Sequence, residues 1–416
     1  MTAARPLDGL RIVDCSTVLA GPYCTMVLAD LGADVVKVEP PEGDGTRGWG
    51  PPWIGGEDHR TAAYYLAVNR NKRSIALDLR TPDGAEVLRR LLAGADVFVE
   101  NFRVGALARL GFGDDALQRL RPGLIHLAVS GYGVTGPDAA KPGYDFVAQA
   151  IGGLMSITGA PEAAGGEPTK VGVAVSDVFT GLFGAIGVLA ALIGRGGGAG
   201  GATSQAAEAG ALRRVDVSLL ESTIAVLINQ AQNAFVSGVS PGRRGNAHPN
   251  IVPYELFDTA DRPIVVAVGS ERQWPRFCEA LGLDALVADP RFATNAGRVQ
   301  NRETLRGLIA GRLREQPAAG WLDRLDAADV PCGPVNDVLS AVESPQSRAR
   351  QMDLVVRHPV LGDIRQVGAP IKLDGSAAAP RLAPPLLGEH AAEILRELGF
   401  EEDWIAGFHR GATGAG

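Results

Sequence analysis

From Leu10 onward, short β-branched apolar runs alternate with helical stretches, and this alternation is what most restricts the fold. LRIVDC (Leu10–Cys15), DVVKVE (Asp34–Glu39), RSIALDL (Arg73–Leu79), DVFVENF (Asp96–Phe102) and LIHLAVSGYG (Leu124–Gly133) read as buried strands. Tyr23–Leu31 and Pro82–Leu92 read as helices between them, the second closed by Gly94. Strands apolar on both faces, alternating with helices, predict an α/β fold with a parallel sheet covered on both sides. Ligands of such sheets lie off the carboxyl ends of the strands. The segments to inspect are therefore Thr17–Pro22, Glu39–Trp49, Asn101–Arg103 and Ser130–Gly136.

Beyond Lys170, the run VGVAV is expected to be an apolar strand leading through Ser176-Asp177 into an apolar helix. The uncharged run Val178–Gly194 stops short of the ~20 residues a membrane span needs, so it is expected in the core. The start MTAARPLDGL has no apolar signal core, and a cytoplasmic location is expected. Gly194–Gly210 is glycine- and alanine-rich and reads as a surface insertion; VDVSL (Val215–Leu219) reads as a strand. Tyr254–Asp258 and Pro263–Gly269 look like an antiparallel pair followed by helices, which suggests a smaller α+β domain. Leu354–Gly368 reads as a hairpin. The expected division is a large domain over 1–200, a linker over 201–224, a small domain over 225–330, and a return to the large domain over 331–416.

Charge and metal-type residues exclude several functions. With 40 basic and 47 acidic side chains, the net charge of −7 gives no global pull toward nucleic acid or anionic membrane. The four cysteines (Cys15, Cys24, Cys278, Cys332) and six histidines show no CxxC, HxxxH or HExxH spacing, so no metal site is expected. Lys37, Arg70, Lys72, Arg73, Arg103 and Lys141 gather near predicted strand ends. They suit a phosphate-bearing ligand or form a solvated basic face. Glu39 ends the second strand where a dinucleotide site would want an acid, but the first βα turn lacks GxGxxG, which weakens a reading as an NAD(P)-dependent oxidoreductase. The GxSxG elbow is absent. Asp177, at a predicted helix N-terminus, is favoured as a carboxylate by the helix dipole; it reads as a helix cap or as a nucleophile at the ligand face.

Taken together, VLAGPYCTMVLADLGADVVKVEPPEGDGTR, NRNKRSIALDL, DVFVENFRVG, SGYGVTGP, GYDFVAQAIGGLMSITG and KVGVAVSDVFTG resemble the family III CoA-transferases of the CaiB/BaiF type. RGNAHPNIVPYELF, VPCGPVND and PPLLGEH extend the resemblance over nearly the whole chain. It implies a Rossmann-like large domain built from both chain ends, a smaller domain, and two chains interlocked as a homodimer. No permanently bound cofactor is implied; coenzyme A enters as acyl-CoA substrate beside a small carboxylic acid. The family's nucleophile corresponds to Asp177, and its CoA contacts fall on Val18, Ala20, Lys37, Asn71, Lys72, Arg73, Asn101, Phe102, Arg103 and Lys141. The racemases of the superfamily carry a Gly-His-Asp element, which is Gly143-Tyr144-Asp145 here; the missing His argues against 2-methylacyl-CoA racemase chemistry, which stays as the enzyme alternative, and Tyr144 is placed at the substrate. A further alternative is a non-catalytic acyl-CoA-binding homologue. GDGTRGWGPPW and AAYYLAVNRNKRSIALDL are most similar to succinyl-CoA:glutarate and related dicarboxylate transferases. Arg47 is the candidate to hold a dicarboxylate's unreacted end, the other reading being a loop arginine in a surface pair.

Overall fold

The structure, a computed structural model, describes residues 5–195, 212–377 and 379–413. The glycine- and alanine-rich segment read as an insertion lies, beyond Arg195, outside the described residues. Two compact units are present: Met1–Leu154 with Val171–Asn229 and Ser344–Gly416, and Met155–Lys170 with Gln230–Glu343.

The first unit is built on six parallel strands: β1 (Arg11–Asp14), β2 (Asp34–Glu39), β3 (Lys72–Ala76), β4 (Val97–Glu100), β5 (Ile125–Ser130) and β6 (Arg213–Ser218). Their order is β3-β2-β1-β4-β5-β6, all neighbours parallel, so the chain winds outward in both directions from β1 and β4. The helices that concern the site are α1 (Ala20–Asp30), α2 (Pro82–Ala93), α3 (Asp114–Leu120), α4 (Asp145–Ile151), α5 (Val175–Arg195) and α6 (Leu219–Ala225). Both sheet faces are buried, as the apolar runs require. Ile12, Val35 and Val97 pack with α1 and α5, whereas their neighbours Val13, Val36 and Phe98 pack with α2 and the C-terminal segment.

Helix α5 is 21 residues long and, by length and composition alone, could cross a membrane. Here its residues Ala185 and Val188 are buried against the sheet, while Phe183, Ile186 and Ile193 stay exposed, so it is a core helix on one side only. The expected strand at VGVAV is not formed: the chain is irregular until α5 begins at Val175. Asp177 is thus the third residue of a helix rather than a strand-to-helix turn.

The division of the chain also differs from the expectation. The segment 201–224 is no linker where described, because β6 is the sheet's edge strand and α6 follows it directly. The second unit has an antiparallel sheet of β7 (Tyr254–Asp258), β8 (Pro263–Ala267) and β9 (Cys332–Pro334), packed on helices through Trp274, Phe277, Ile309 and Trp321. Strand β9 holds the chain in that unit past residue 330, so the return to the first unit comes at Ser344. A three-residue Cys-Gly-Pro strand carries no periodicity to read. The hairpin was legible: β10 (Asp353–His358) pairs with β11 (Gly362–Val367).

Candidate active site

The doubly wound order opens a crevice between the loops that leave β1 and β4. Asn101, just past β4, ties these loops together: its Oδ1 accepts from Thr17 N at 3.0 Å, and its Nδ2 donates to Thr17 O at 2.9 Å. The next residue, Val18, has φ 73°. A β-branched side chain is an outlier in this left-handed region. Helix α1 then starts without a side-chain cap at Leu19, so its first N–H groups face the crevice uncapped. The backbone N–H of Ala20 lies close enough to the Asp177 carboxylate to favour its charged form.

Asp177 is brought there by close helix packing. A Cβ on Gly181, one turn further along α5, would lie 2.6 Å from the Ala20 carbonyl oxygen. Only glycine lets the starts of α1 and α5 meet. Asp145, at the start of α4, accepts from Ser176 N at 2.8 Å and from Gln149 Nε2 at 2.8 Å. It thereby fixes the α5 terminus while placing a second carboxylate near Asp177. Burial, and then the Asp145 charge, push the Asp177 carboxyl up to about 7 against the lowering effect of the Ala20 N–H. An acid poised there is a basic carboxylate held out of water at neutral pH.

Asp177 opens into a pocket of about 250 Å³. The pocket brings together Val18, Ala20, Asn101, Phe102, Arg103, Lys141 and Tyr144 with Asp177, all of them candidates from the sequence. Gly131 and Gly143 form its floor, where a Cβ on Gly131 would meet the Gly143 Cα at 2.6 Å. Arg103 is exposed and makes no ion pair among the described residues, whereas Lys141 pairs with Asp138 at 2.7 Å on an open surface. Phe102, Arg103, Val104, Val129 and Ser130 also line a second cavity of about 770 Å³.

The remaining candidates are taken up by the fold. Lys37 is fully buried, paired with Asp44 at 3.1 Å and donating to Ser16 O at 2.9 Å. Lys72 is equally buried and pairs with Asp14 at 3.1 Å. Burial, exceeding the pull of Asp14, brings its ammonium down to about 8. Asn71 accepts from Arg381 N and Leu382 N, anchoring the C-terminal segment. Arg73 sits near the amino edge of the sheet and reaches Asp34, Glu393 and Glu397, each at 2.8 Å. Lys72 and Arg73 open β3, whereas Arg103 follows the carboxyl end of β4, so the cations expected to gather near strand ends lie at opposite edges of the sheet. Arg47 is likewise not in the pocket. Its Nε and Nη2 hold both Glu39 oxygens at 2.8 and 2.7 Å, and Nη2 also donates to Tyr65 Oη. Glu39 is thus an internal partner for Arg47, and not a ribose ligand.

Sequence reading missed Tyr64. Burial, followed by the charges of Asp177, Asp145 and Asp44, pushes its phenol up to about 12, which keeps it a hydrogen-bond donor. Trp49 packs edge-on against it, ring centroids 5.3 Å apart. The two aromatics of AAYYL look alike in sequence, and only their burial separates Tyr65 in the core from Tyr64 beside the site.

The chain is similar to known proteins over nearly its whole length. The family model of CoA-transferase family III matches residues 7–391. The succinate–glutarate CoA-transferase of Agrobacterium fabrum is 42% identical over 398 residues, covering 94% of this chain and 96% of that protein. The human succinyl-CoA:glutarate CoA-transferase is 39% identical, covering 96% of this chain and 87% of that one. The crystal structure of a CaiB/BaiF family protein from Brucella suis superposes with a TM-score of 0.82 at 41% identity, covering 96% of this chain and all of the other.

Proposed function

The chain belongs to CoA-transferase family III, and from that premise we propose that it moves CoA from succinyl-CoA to a free dicarboxylic acid of the glutarate type, with Asp177 as nucleophile. The observation that carries this reading is the buried carboxylate of Asp177, raised to about 7 at the meeting of two helix N-termini. The relatives named as succinate–glutarate transferases supply the donor and acceptor class.

An Asp177 oxygen attacks the thioester carbonyl and the C–S bond breaks, giving a mixed anhydride and CoA thiolate. The thiolate attacks the aspartyl carbonyl, releases the donor acid as a carboxylate, and leaves an aspartyl-CoA thioester. The acceptor carboxylate attacks that thioester, forming a second anhydride and thiolate. Attack of the thiolate on the acceptor's carbonyl yields acceptor-CoA and restores Asp177. No net proton is consumed, so the site needs positioning and oxyanion donors more than an acid. The uncapped N–H groups at the start of α1, Ala20 foremost, are suited to that task. Val18, Asn101, Phe102, Arg103 and Lys141 flank the crevice as contacts for CoA, and the adjoining 770 Å³ cavity leaves room for an extended thioester. Tyr144, exposed at the pocket rim, faces the acceptor.

The reading includes a homodimer. Phe146, Val147 and Ile151 on α4, with Phe183, Ile186 and Ile193 on α5, expose large apolar side chains within one unit. That much apolar surface suits a second copy of the chain. The test of function is to incubate the protein with succinyl-CoA and a panel of acids (glutarate, 3-hydroxy-3-methylglutarate, mesaconate, malate, oxalate) and to separate the CoA esters. A dicarboxyl-CoA absent from the Asp177→Ala control supports the reading. Deuterium uptake into 2-methylacyl-CoA without any transfer would replace it with the racemase.

A further inference from the structure

We propose that Asp44, a residue outside the pocket lining, is a positioning residue that holds Val18 in its left-handed turn and so aims the start of α1 at Asp177. The carboxylate of Asp44 is buried and engaged on three sides. Val18 N donates to its Oδ2 at 3.2 Å, Thr46 donates to Oδ1 through N (3.0 Å) and Oγ1 (2.8 Å), and Lys37 Nζ lies 3.1 Å from Oδ2. Asp44 is itself seated on the sheet, because its own N–H donates to Glu39 Oε2 at 3.0 Å. Lys37 adds a second grip on the same loop through Ser16 O.

Val18 would leave φ 73° if released, since a β-branched residue in this region costs of the order of 1–3 kcal/mol. Two residues on, Ala20 lines the pocket beside Asp177, its carbonyl 2.6 Å from where a Cβ on Gly181 would sit one turn beyond Asp177. A relaxation of Val18 would swing the uncapped helix start away from the carboxylate it serves. The Lys37–Asp44 pair therefore converts rigidity of the sheet into a fixed donor at the reacting oxygen, which gives a buried cation of the expected CoA-binding set a different task.

The catalytic arm of the test rests on the transferase reading; a second arm does not. Asp44→Asn is expected to lower kcat about 10- to 100-fold, as small displacements of a donor do, with KM for succinyl-CoA within about threefold. In a Val18→Gly background, where φ 73° is unstrained, the same substitution should cost less than about fivefold. Amide exchange of the segment Thr17–Tyr23 in the unliganded protein should rise about tenfold on Asp44→Asn alone. If Asp44→Asn does not fold, Thr46→Val, which removes the hydroxyl bond to Asp44 Oδ1 and leaves the backbone one, should show the same pattern at about threefold. Equal losses of kcat in both backgrounds, or unchanged exchange over Thr17–Tyr23, would overturn the proposal. Should the wild-type protein transfer no CoA, the exchange result alone decides the positioning role, and the two readings fail separately.

Discussion

The behaviour of Asp177 follows from one balance, burial and Asp145 against a single backbone N–H. Because its folded pKa of about 7 lies above the ordinary 3.8, the native state is disfavoured increasingly as pH rises from 4 to 7. The full shift is of the order of 4 kcal/mol. Asp177→Asn should therefore abolish transfer by at least about a thousandfold while raising the melting temperature at pH 8, and the stability gain should vanish near pH 4. Melting curves at the two pH values check this; equal gains at both would place the strain elsewhere. Arg47→Lys tests a corrected assignment. Loss of a bidentate, buried pair with Glu39 should cost about 2 kcal/mol, with the preference for dicarboxylates over monocarboxylates unchanged. At this scale the sequence points to Asp177 by its place in a motif. It could not separate Lys37 and Lys72, which neutralise Asp44 and Asp14 inside the fold, from Arg103, which stays free at the mouth. A positive charge serves either purpose, and only burial decides.

Between elements, the decisive contact is α5 against α1. Gly181→Val would force its side chain into the Ala20 carbonyl and part the two helix starts. We expect kcat to fall about 100-fold with a lowered melting temperature, measured by steady-state kinetics beside circular dichroism. A drop in stability with kcat intact would show that the approach serves packing alone. Strands were legible wherever both faces are buried: β2 is DVVKVE as read, and β1, β4 and β5 fall within their apolar runs. Runs without burial on both sides misled. VGVAV is apolar but forms no strand, and Val173 in it is exposed. The edge strand β6 alternates because Arg213, Val215 and Val217 face α5 while Arg214 and Asp216 are exposed.

For the whole molecule, the units are assembled from distant pieces, and sequence proximity cannot reveal that Met155–Lys170 clusters with Gln230–Glu343. The apolar faces of α4 and α5 carry the oligomer prediction. Sedimentation velocity should give a species of twice the chain mass, and Ile186→Glu with Phe146→Glu should weaken it; a concentration-independent monomer would remove the dimer from the account. The central claim, covalent transfer through one aspartate, has its most direct test in the mass of the protein itself. After mixing with succinyl-CoA alone and an acid quench, peptide mapping should find CoA joined, with loss of water, to the peptide containing Asp177. One succinate should be released per adduct, and added glutarate should discharge the adduct as glutaryl-CoA. No adduct on that peptide, with glutaryl-CoA still formed, would contradict the account.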